Sequence, residues 1–317
     1  MTPELSVVLI TPDSFETIRK TAACVASQSA AARIELVIVA PTAAQIDVDA
    51  ALVAPLAAVQ VVRLASLTPA GPARAAAVRA ARANVVAFGE EHCFPQPGWA
   101  QALIDAHRED YVAVGPAMHN ANPATLVSWA DFILGYGPWA SPVARSERDF
   151  LPGHNSSYKR AALLEYGRAL DELMEAETVL MWDLRSKGKR LVLEPAANAD
   201  HTNFGLWRSW LAVMFFNGRA FAATRSAHWR IGRRVVFAGA SPLIPFVRLA
   251  RSLGDARRVS RGGGFLLRII PTLCVGLVFD AVGQMLGYAS GAGNAHERMA
   301  EYEWHRMKHV REVQPAG

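Results

Sequence analysis

The stretch Val85-Val-Ala-Phe-Gly-Glu-Glu-His-Cys-Phe-Pro-Gln-Pro-Gly-Trp99 decides the fold prediction. Its four leading apolar residues predict a buried strand, and the prolines at positions 95 and 97 predict that this strand ends there. Glu90, Glu91 and His92 are thereby placed at the end of a central strand, where open α/β sheets bind their ligands. On an extended chain Glu90 and His92 point the same way and would share one divalent cation. The alternative interpretation is a solvated acidic turn that caps a strand.

Apolar strand patterns and helical patterns alternate on both sides of this stretch. Strands are predicted over 6–11, 34–39 and 59–64. One helix is predicted over 14–28, between the first two strands, and another over 71–83, before Val85. This order predicts an α/β fold with a mostly parallel sheet, helices on both faces and right-handed crossovers. Further along, we expect a helix over 100–107, a strand over 111–115, an irregular aromatic segment over 116–150, and a strand that Pro195 ends.

Composition and charge separate the chain into an acidic body and a basic arm. The 317 residues are 51% hydrophobic and 19% charged, which excludes a disordered chain and a typical many-pass membrane protein. Residues 1–201 hold 22 acidic and 17 basic side chains, whereas residues 202–268 hold twelve arginines and a single acid, Asp255. The three cysteines lie far apart without CxxC spacing, which indicates reduced thiols in a cytosolic setting.

Six motifs, and their order along the chain, resemble those of the catalytic domain of family 2 glycosyltransferases, which has the GT-A fold. The resemblance covers residues 5 to about 201, and the motifs are Ser6-Val-Val-Leu-Ile-Thr11, Gly71-x-x-Arg74, Glu90-Glu91-His92, Gly153-x-Asn155, Glu175-Ala-Glu177 and His201. Two positions depart from the family pattern. Its metal-binding Asp-x-Asp is Glu90-Glu91-His92 here, and Ala40-Pro41 replaces the acidic residues that end the second strand, so the nucleotide is not identified.

The resemblance implies a role for each matched residue. Glu177 is the expected catalytic base, and Glu175 is the second candidate. The alternative is that both carboxylates only stabilise the start of a helix through its dipole. Mn²⁺ or Mg²⁺ would be held by Glu90, His92 and His201, and the imidazoles favour Mn²⁺. The nucleotide sugar would contact Thr11, Asp13, Arg74, Glu90 and Glu91.

Several of these residues have simpler alternative roles. Thr11 and Asp13 are also typical of a turn that caps a helix, and Arg74 would otherwise be a surface arginine. Asn155 and Trp139 are predicted to lie on the acceptor side. The aromatic segment around Trp139 would line a pocket for a ring-shaped substrate or would cover the edge of the sheet.

The C-terminal arm has a different character. Residues 202–290 combine arginines, aromatic residues and short apolar helices, which predicts a segment lying on an anionic membrane surface, and residues 291–317 predict a charged helical tail. The apolar run from Ile269 to Phe279 holds only eleven residues before Asp280, fewer than the roughly 20 of a spanning helix, so the arm does not span convincingly, and whether it spans a membrane or lies on one stays open. The alternative is a hydrophobic hairpin buried in a homo-oligomer. Nucleic-acid binding is disfavoured by the apolar helices between the arginines.

Together these features predict an inverting, metal-assisted glycosyltransferase with a nucleotide-sugar donor. Its acceptor would be a lipid-linked or glycan molecule at the cytoplasmic face of a membrane, in envelope polysaccharide synthesis. The alternative is a non-catalytic GT-A-like protein that binds a nucleotide sugar or serves as a scaffold for a membrane complex.

Overall fold

The computed structural model describes residues 2–259 and 262–310 and divides the chain into two compact units. The first unit comprises Met1–His119 and Val143–Asp200, and the second comprises Asn120–Pro142 and His201–Gly317. Two strands of the sheet, β6 (Ala113–Asn120) and β9 (Leu191–His201), each end one residue beyond the first unit. His201 is therefore positioned as the last residue of a sheet strand.

The sheet has nine strands among the described residues. Besides β6 and β9 these are β1 (Leu5–Ile10), β2 (Ile34–Pro41), β3 (Ala58–Leu64), β4 (Val85–Phe88), β5 (Cys93–Pro95), β7 (Ser146–Glu147) and β8 (Ser157–Lys159). Their order is β3-β2-β1-β4-β8-β6-β9-β5, with β7 paired to β9. The strands β3, β2, β1 and β4 are parallel, whereas β8 is antiparallel to both β4 and β6.

The helices follow the strands in alternation and then dominate the C-terminal part. They are α1 (Phe15–Ala26), α2 (Ala50–Val53), α3 (Ala70–Ala80), α4 (Trp99–Ala106), α5 (Leu126–Tyr136), α6 (Arg160–Leu164), α7 (Leu170–Leu173), α8 (Glu177–Ser186), α9 (Trp207–Arg225), α10 (Ile231–Ala240), α11 (Ile244–Val259), α12 (Gly263–Ser290) and α13 (Ala295–Glu303). Of the predicted charged tail over 291–317, residues 311–317 lie outside the described part.

Helices cover both faces of the parallel part of the sheet. Leu9, Leu36 and Ile38 lie in one buried apolar cluster with residues of α1 and α2. Because side chains alternate along a strand, Glu35 points to the opposite face, where its carboxylate accepts a hydrogen bond from the N–H of Arg82, just after α3 (2.8 Å). The predicted α/β sheet with helices on both faces is therefore confirmed.

Three local predictions were wrong. Residues 89–92 form a turn instead of continuing the strand, and the chain then re-enters the sheet as β5. Strand β5 ends at Pro95, as predicted, and it lies at the end of the strand order, where a missing N–H costs least. Strand β9, by contrast, runs through Pro195 to His201, and the next N–H, of Ala196, donates to the Glu194 carboxylate (3.0 Å).

The segment 116–150, predicted to be irregular, contains helix α5. Thr125 caps it, because its hydroxyl accepts a hydrogen bond from the N–H of Ser128 (3.0 Å). Buried residues of α5, such as Val127 and Ile133, pack with Trp210 in the apolar core of the second unit. Three aromatic residues of this segment, Trp129, Phe132 and Tyr136, therefore lie on a helix, and Trp129 packs against that core.

In the second unit, α9 and α12 pack closely along their length because glycines face the contact. A Cβ on Gly283 would lie 2.0 Å from the carbonyl oxygen of Phe215, and one on Gly287 would lie 2.3 Å from that of Arg219. Helix α12 also continues past Asp280, which the sequence analysis took as the end of the apolar run. Its buried carboxylate accepts a hydrogen bond from Arg248 Nη1 (2.6 Å), so the acid is paired within the bundle.

One helix among the described residues is long and apolar enough to cross a membrane, judged by length and composition. It covers Gly264–Ser290, which is 27 residues, and 39% of its most apolar window is buried inside the protein. The apolar run counted from the sequence stopped at Asp280, whereas the helix continues through this acid, which is paired with Arg248.

Candidate functional site

The turn between β4 and β5 carries the central acidic and imidazole side chains. The N–H of Cys93 donates to the carbonyl oxygen of Glu90 (3.1 Å), which closes the turn over four residues. The hydroxyl of Thr21, from α1, donates to the same carbonyl oxygen (3.0 Å). The N–H of Gly89 donates to the carbonyl oxygen of Val8 in β1 (3.0 Å). The turn is therefore fixed to the carboxyl end of the parallel strands.

Glu90 and His92 come together through this turn and not through an extended chain. Glu90 Oε2 lies 3.7 Å from His92 Nε2, and His92 is almost completely buried. On the other side of the ring, His92 Nδ1 lies 2.9 Å from Glu91 Oε1. Glu91 is thus placed behind the histidine and orients its ring, as carboxylates commonly do for histidines that bind metals.

A third candidate ligand is His201 at the end of β9. Glu90, His92 and His201 each offer one ligand atom, and these atoms all lie within 4.8 Å of one another. His201 Nδ1 lies 2.9 Å from Asn203 Oδ1, which fixes the orientation of the buried ring. One carboxylate and two imidazoles form a donor set that fits a divalent transition metal such as Mn²⁺. The residues predicted for the metal are therefore the ones the fold brings together.

A second charged group lies at the start of α8. Glu177, the first residue of that helix, is buried, and its Oε1 lies 3.1 Å from Arg74 Nη1 and 2.7 Å from His154 Nδ1. Arg74 also donates to the carbonyl oxygen of Met174 (2.9 Å). Arg74 is therefore an internal partner of the predicted base and not a surface arginine.

Burial and the neighbouring charges shift the pKa values of Glu177 and His154 in opposite directions, and the charges have the larger effect. Burial alone raises the pKa of Glu177, but Arg74 and then His154 outweigh it and lower the pKa to about 2. Burial likewise lowers the pKa of His154, but the carboxylate of Glu177 outweighs it and raises that pKa above its ordinary value. Glu177 is consequently ionised at neutral pH, and protonation of His154 is favoured.

The turn Gly153–Asn155 connects the two groups. Asn155 Nδ2 donates to Glu90 Oε2 (2.7 Å), while the preceding residue, His154, contacts Glu177. A Cβ on Gly153 would lie 3.1 Å from Glu177 Oε2, so this close approach favours glycine. Asn155, predicted on the acceptor side, instead lies against the candidate metal ligand.

Other predicted residues have structural roles. Glu175 Oε2 accepts the N–H of Gly71 (2.6 Å), which places the carboxylate at the N-terminus of α3. Thr11 donates its hydroxyl to the carbonyl oxygen of Ser14 (2.6 Å), and Asp13 accepts the N–H of Ser14 (2.6 Å), so both shape the turn into α1. Trp139 is buried in the second unit.

His154 is the residue that the sequence analysis missed. It stands between the quoted Gly153 and Asn155, and a histidine inside a glycine-containing polar turn was the available signal. Its partner lies 23 residues away in sequence, so only the fold reveals the contact.

Comparison with known proteins supports the fold assignment. No protein-family model and no curated protein sequence matches the chain. Among solved structures, it is similar to the mannosyltransferase PcManGT from Pyrobaculum calidifontis in complex with GDP-Man and Mn²⁺. The TM-score is 0.55 at 14% sequence identity, and the match covers 90% of this chain and 87% of that chain. The predicted GT-A fold with a C-terminal helical region is thereby confirmed.

Two further matches have lower TM-scores. GalNAc-T7 with UDP, GalNAc and Mn²⁺ gives 0.46 at 14% identity, covering 63% of this chain and 44% of that chain. A mycobacterial protein gives 0.44 at 17% identity, covering 71% and 74%.

Proposed function

We propose that this chain is a glycosyltransferase that uses a nucleotide-sugar donor and a divalent cation. The observation that carries the proposal is the group of ligand atoms from Glu90, His92 and His201 within 4.8 Å, at the carboxyl end of the strands of a GT-A sheet. Ligands of open α/β folds bind at that edge. The mannosyltransferase with a similar fold was solved with GDP-Man and Mn²⁺, which supports the same classes of donor and cation here.

Within this proposal, Glu90, His92 and His201 hold the cation, and Mn²⁺ fits the two imidazoles better than Mg²⁺ does. When bound, the cation would supply charge neutralisation for a diphosphate leaving group. Glu91 holds the ring of His92, and Asn155 holds the carboxylate of Glu90. These two contacts fix the ligands in advance, so less order is lost when the cation binds.

Glu177 is proposed as the base that accepts a proton from the acceptor hydroxyl, in a transfer with inversion. The carboxylate is ionised, as the role requires, but a pKa of about 2 makes it a weak proton acceptor while Arg74 is bound to it. A guanidinium also binds phosphate well. We therefore propose that the donor diphosphate draws Arg74 away from Glu177, so that the proton affinity of the base rises only when the donor is present.

The acceptor is proposed to be a lipid-linked or glycan molecule, and the reaction is proposed to take place at the cytoplasmic face of a membrane in polysaccharide synthesis. The arginine-rich, apolar composition of residues 202–268 supports a membrane location. Thr11 and Asp13, in the turn into α1, are proposed to contact the nucleoside, and Glu175, which accepts the N–H of Gly71, is the second candidate for the base.

A second candidate function is binding of a nucleotide sugar without turnover. It is favoured by one observation, the ion pair that holds the pKa of Glu177 near 2. A carboxylate that never leaves its arginine would bind a donor nearby but would accept no proton.

One experiment separates the two candidates. The full chain is incubated with a panel of nucleotide sugars, a membrane extract as the source of acceptor, and Mn²⁺, and release of nucleoside diphosphate is measured. Glycosyl transfer predicts release that falls by about 100-fold or more in Glu177→Gln. Release should also be lost in His92→Ala but retained in His228→Ala, which changes an exposed histidine in the turn after α9. Donor binding with no release by any protein would favour the second candidate and overturn the first.

A further inference from the structure

Six large apolar side chains of the second unit lie on its surface. They are Ile231, Val235, Val236, Leu243, Phe246 and Val247, which belong to α10, the following 3-10 turn Ser241–Leu243, and the start of α11. We call them the hairpin surface. Each exposes at least half of its area, from 51% for Val247 to 73% for Phe246. Exposed apolar residues are common singly, but a group of this size indicates an interaction site.

Helix α12 carries a second exposed apolar row. Leu267, Val275, Val278 and Val282 are exposed and follow one another at helical spacing, so they lie on one side of the helix. The other side packs against α9 through glycines, including Gly276 and Gly283. Helix α10 lies beside α12, because Arg234 Nε donates to the carbonyl oxygen of Tyr288 (2.8 Å). The hairpin surface and the row on α12 therefore belong to neighbouring helices of one bundle.

The charge around these apolar residues has one sign. Arg230, Arg233 and Arg251 are exposed on or next to the same helices. Residues 202–290 contain only two acids. Asp255 lies 3.0 Å from Arg258, and Asp280 is buried against Arg248. The exposed positive charge is therefore not compensated by acids of this part of the chain.

We propose that the hairpin surface and the exposed row of α12 dock onto an anionic lipid bilayer, with the helices lying in its interface. Apolar side chains flanked by arginines match the acyl boundary and the phosphates of such a surface. A second copy of the chain is a poorer partner, because it would bring like charges together. The proposal does not depend on the sugar transfer.

Docking in the interface is favoured over a spanning α12 by its neighbour. Helix α9 packs along α12, and α9 exposes Arg208 and Asn217 to the surroundings. Such groups are costly in the hydrocarbon layer, where α9 would have to follow a spanning α12. In the interface, by contrast, only the exposed side of each helix enters the lipid.

The test uses the full chain and vesicles in a flotation assay. Vesicles of phosphatidylcholine with phosphatidylglycerol should bind the protein at least about tenfold more tightly than phosphatidylcholine alone, and added salt should weaken the binding. Phe246→Glu and Val236→Glu should each weaken binding by about tenfold or more, because a large apolar side chain no longer enters the lipid. Leu164→Glu, at an exposed leucine of the first unit, should leave binding unchanged.

Three results would overturn the proposal. The first is equal binding of Phe246→Glu and wild type, with folding of both verified by circular dichroism. The second is protein that stays with the vesicles after alkaline carbonate treatment, which would indicate a spanning helix. The third is light scattering that shows a dimer abolished by Phe246→Glu while wild type ignores anionic vesicles, which would assign the surface to a second copy.

Discussion

Replacing Glu177 with glutamine tests the charge balance of the candidate site most directly. The carboxylate is buried between Arg74 and His154, and its pKa is lowered to about 2 from an ordinary value of 4.5. That difference corresponds to roughly 3 kcal/mol of unfolding free energy. Because the folded-state pKa is the lower one, this stability is fully present above about pH 4.5 and is lost as the pH falls through about 2.

The assay is urea unfolding followed by circular dichroism at pH 7 and at pH 3. At pH 7, Glu177→Gln should lower the unfolding free energy by about 3 kcal/mol or more, since it also leaves Arg74 without its buried carboxylate. At pH 3 the difference from wild type should shrink to roughly half, because wild type has by then lost part of the contribution. Glu165→Gln, at an exposed glutamate of the same unit, is the matched control and should follow wild type at both pH values.

An ionic contribution of Glu177 would be refuted if Glu177→Gln and wild type differed by the same free energy at pH 7 and pH 3. A constant difference would mean that packing, not ionisation, is what the carboxylate contributes. An absent difference would mean that Arg74 and His154 do not hold Glu177 in its charged form.

Three further predictions concern other parts of the fold. His92→Ala should weaken Mn²⁺ binding by about 10-fold or more in isothermal titration calorimetry, with chelator-treated wild type as the reference; equal affinity would remove His92 from the ligand set. Gly283→Ala should lower the melting temperature by several degrees, because its Cβ would lie 2.0 Å from the carbonyl oxygen of Phe215. Gly254→Ala should not lower the melting temperature, because its Cβ would have no atom within 4 Å. Asp280→Asn should cost about 1–3 kcal/mol in urea unfolding, since it breaks the pair with Arg248, which is partly exposed; an unchanged midpoint would show that the pair contributes nothing.

The alternation of strands and helices in the first hundred residues was predictable because its signals are local. Buried parallel strands appear as short apolar runs, and the runs at β1, β2 and β4 stand out against alanine-rich helices. Helix α5 was missed because its tryptophan, phenylalanine and tyrosine residues are weak helix formers. The core that Val127, Ala130 and Ile133 of α5 form with Trp210, with Trp129 packed against it, stabilises the helix despite these residues.

Of the two prolines expected to end strands, one misled the prediction: β5 ends at Pro95, as predicted, but β9 continues through Pro195. Pro95 and Pro195 each cannot donate a hydrogen bond, but whether that ends a strand depends on the neighbour at that position. Pro95 lies in the terminal strand of the sheet order, and the chain passes Pro195 with the Glu194 carboxylate accepting the next N–H. Strand order is a property of the whole sheet, so the outcome was not available from the local sequence.

The candidate site was predictable in its residue types but not in its connections. Two carboxylates and one imidazole after β4 indicated a cation site, and the structure groups Glu90 and His92 with His201. The sequence did not show that the turn Gly153–Asn155 links the base to the candidate metal ligands. Two consecutive side chains of this turn contact them. His154 lies against Glu177, and Asn155 donates to Glu90.

This shared turn has a consequence for how the two groups respond to a donor. Above about pH 2 and below the raised pKa of His154, Arg74, Glu177 and His154 carry one net positive charge. A diphosphate that draws Arg74 away leaves His154 as the charged partner of Glu177. Glu177 then attracts the imidazole of His154 more strongly, and His154 is the residue before Asn155. Any shift of the turn would then move Asn155 against Glu90 Oε2, because the two are joined by a 2.7 Å hydrogen bond. The base and the cation ligands are therefore expected to respond together, and Gly153→Ala, whose Cβ would meet Glu177, would disturb both at once.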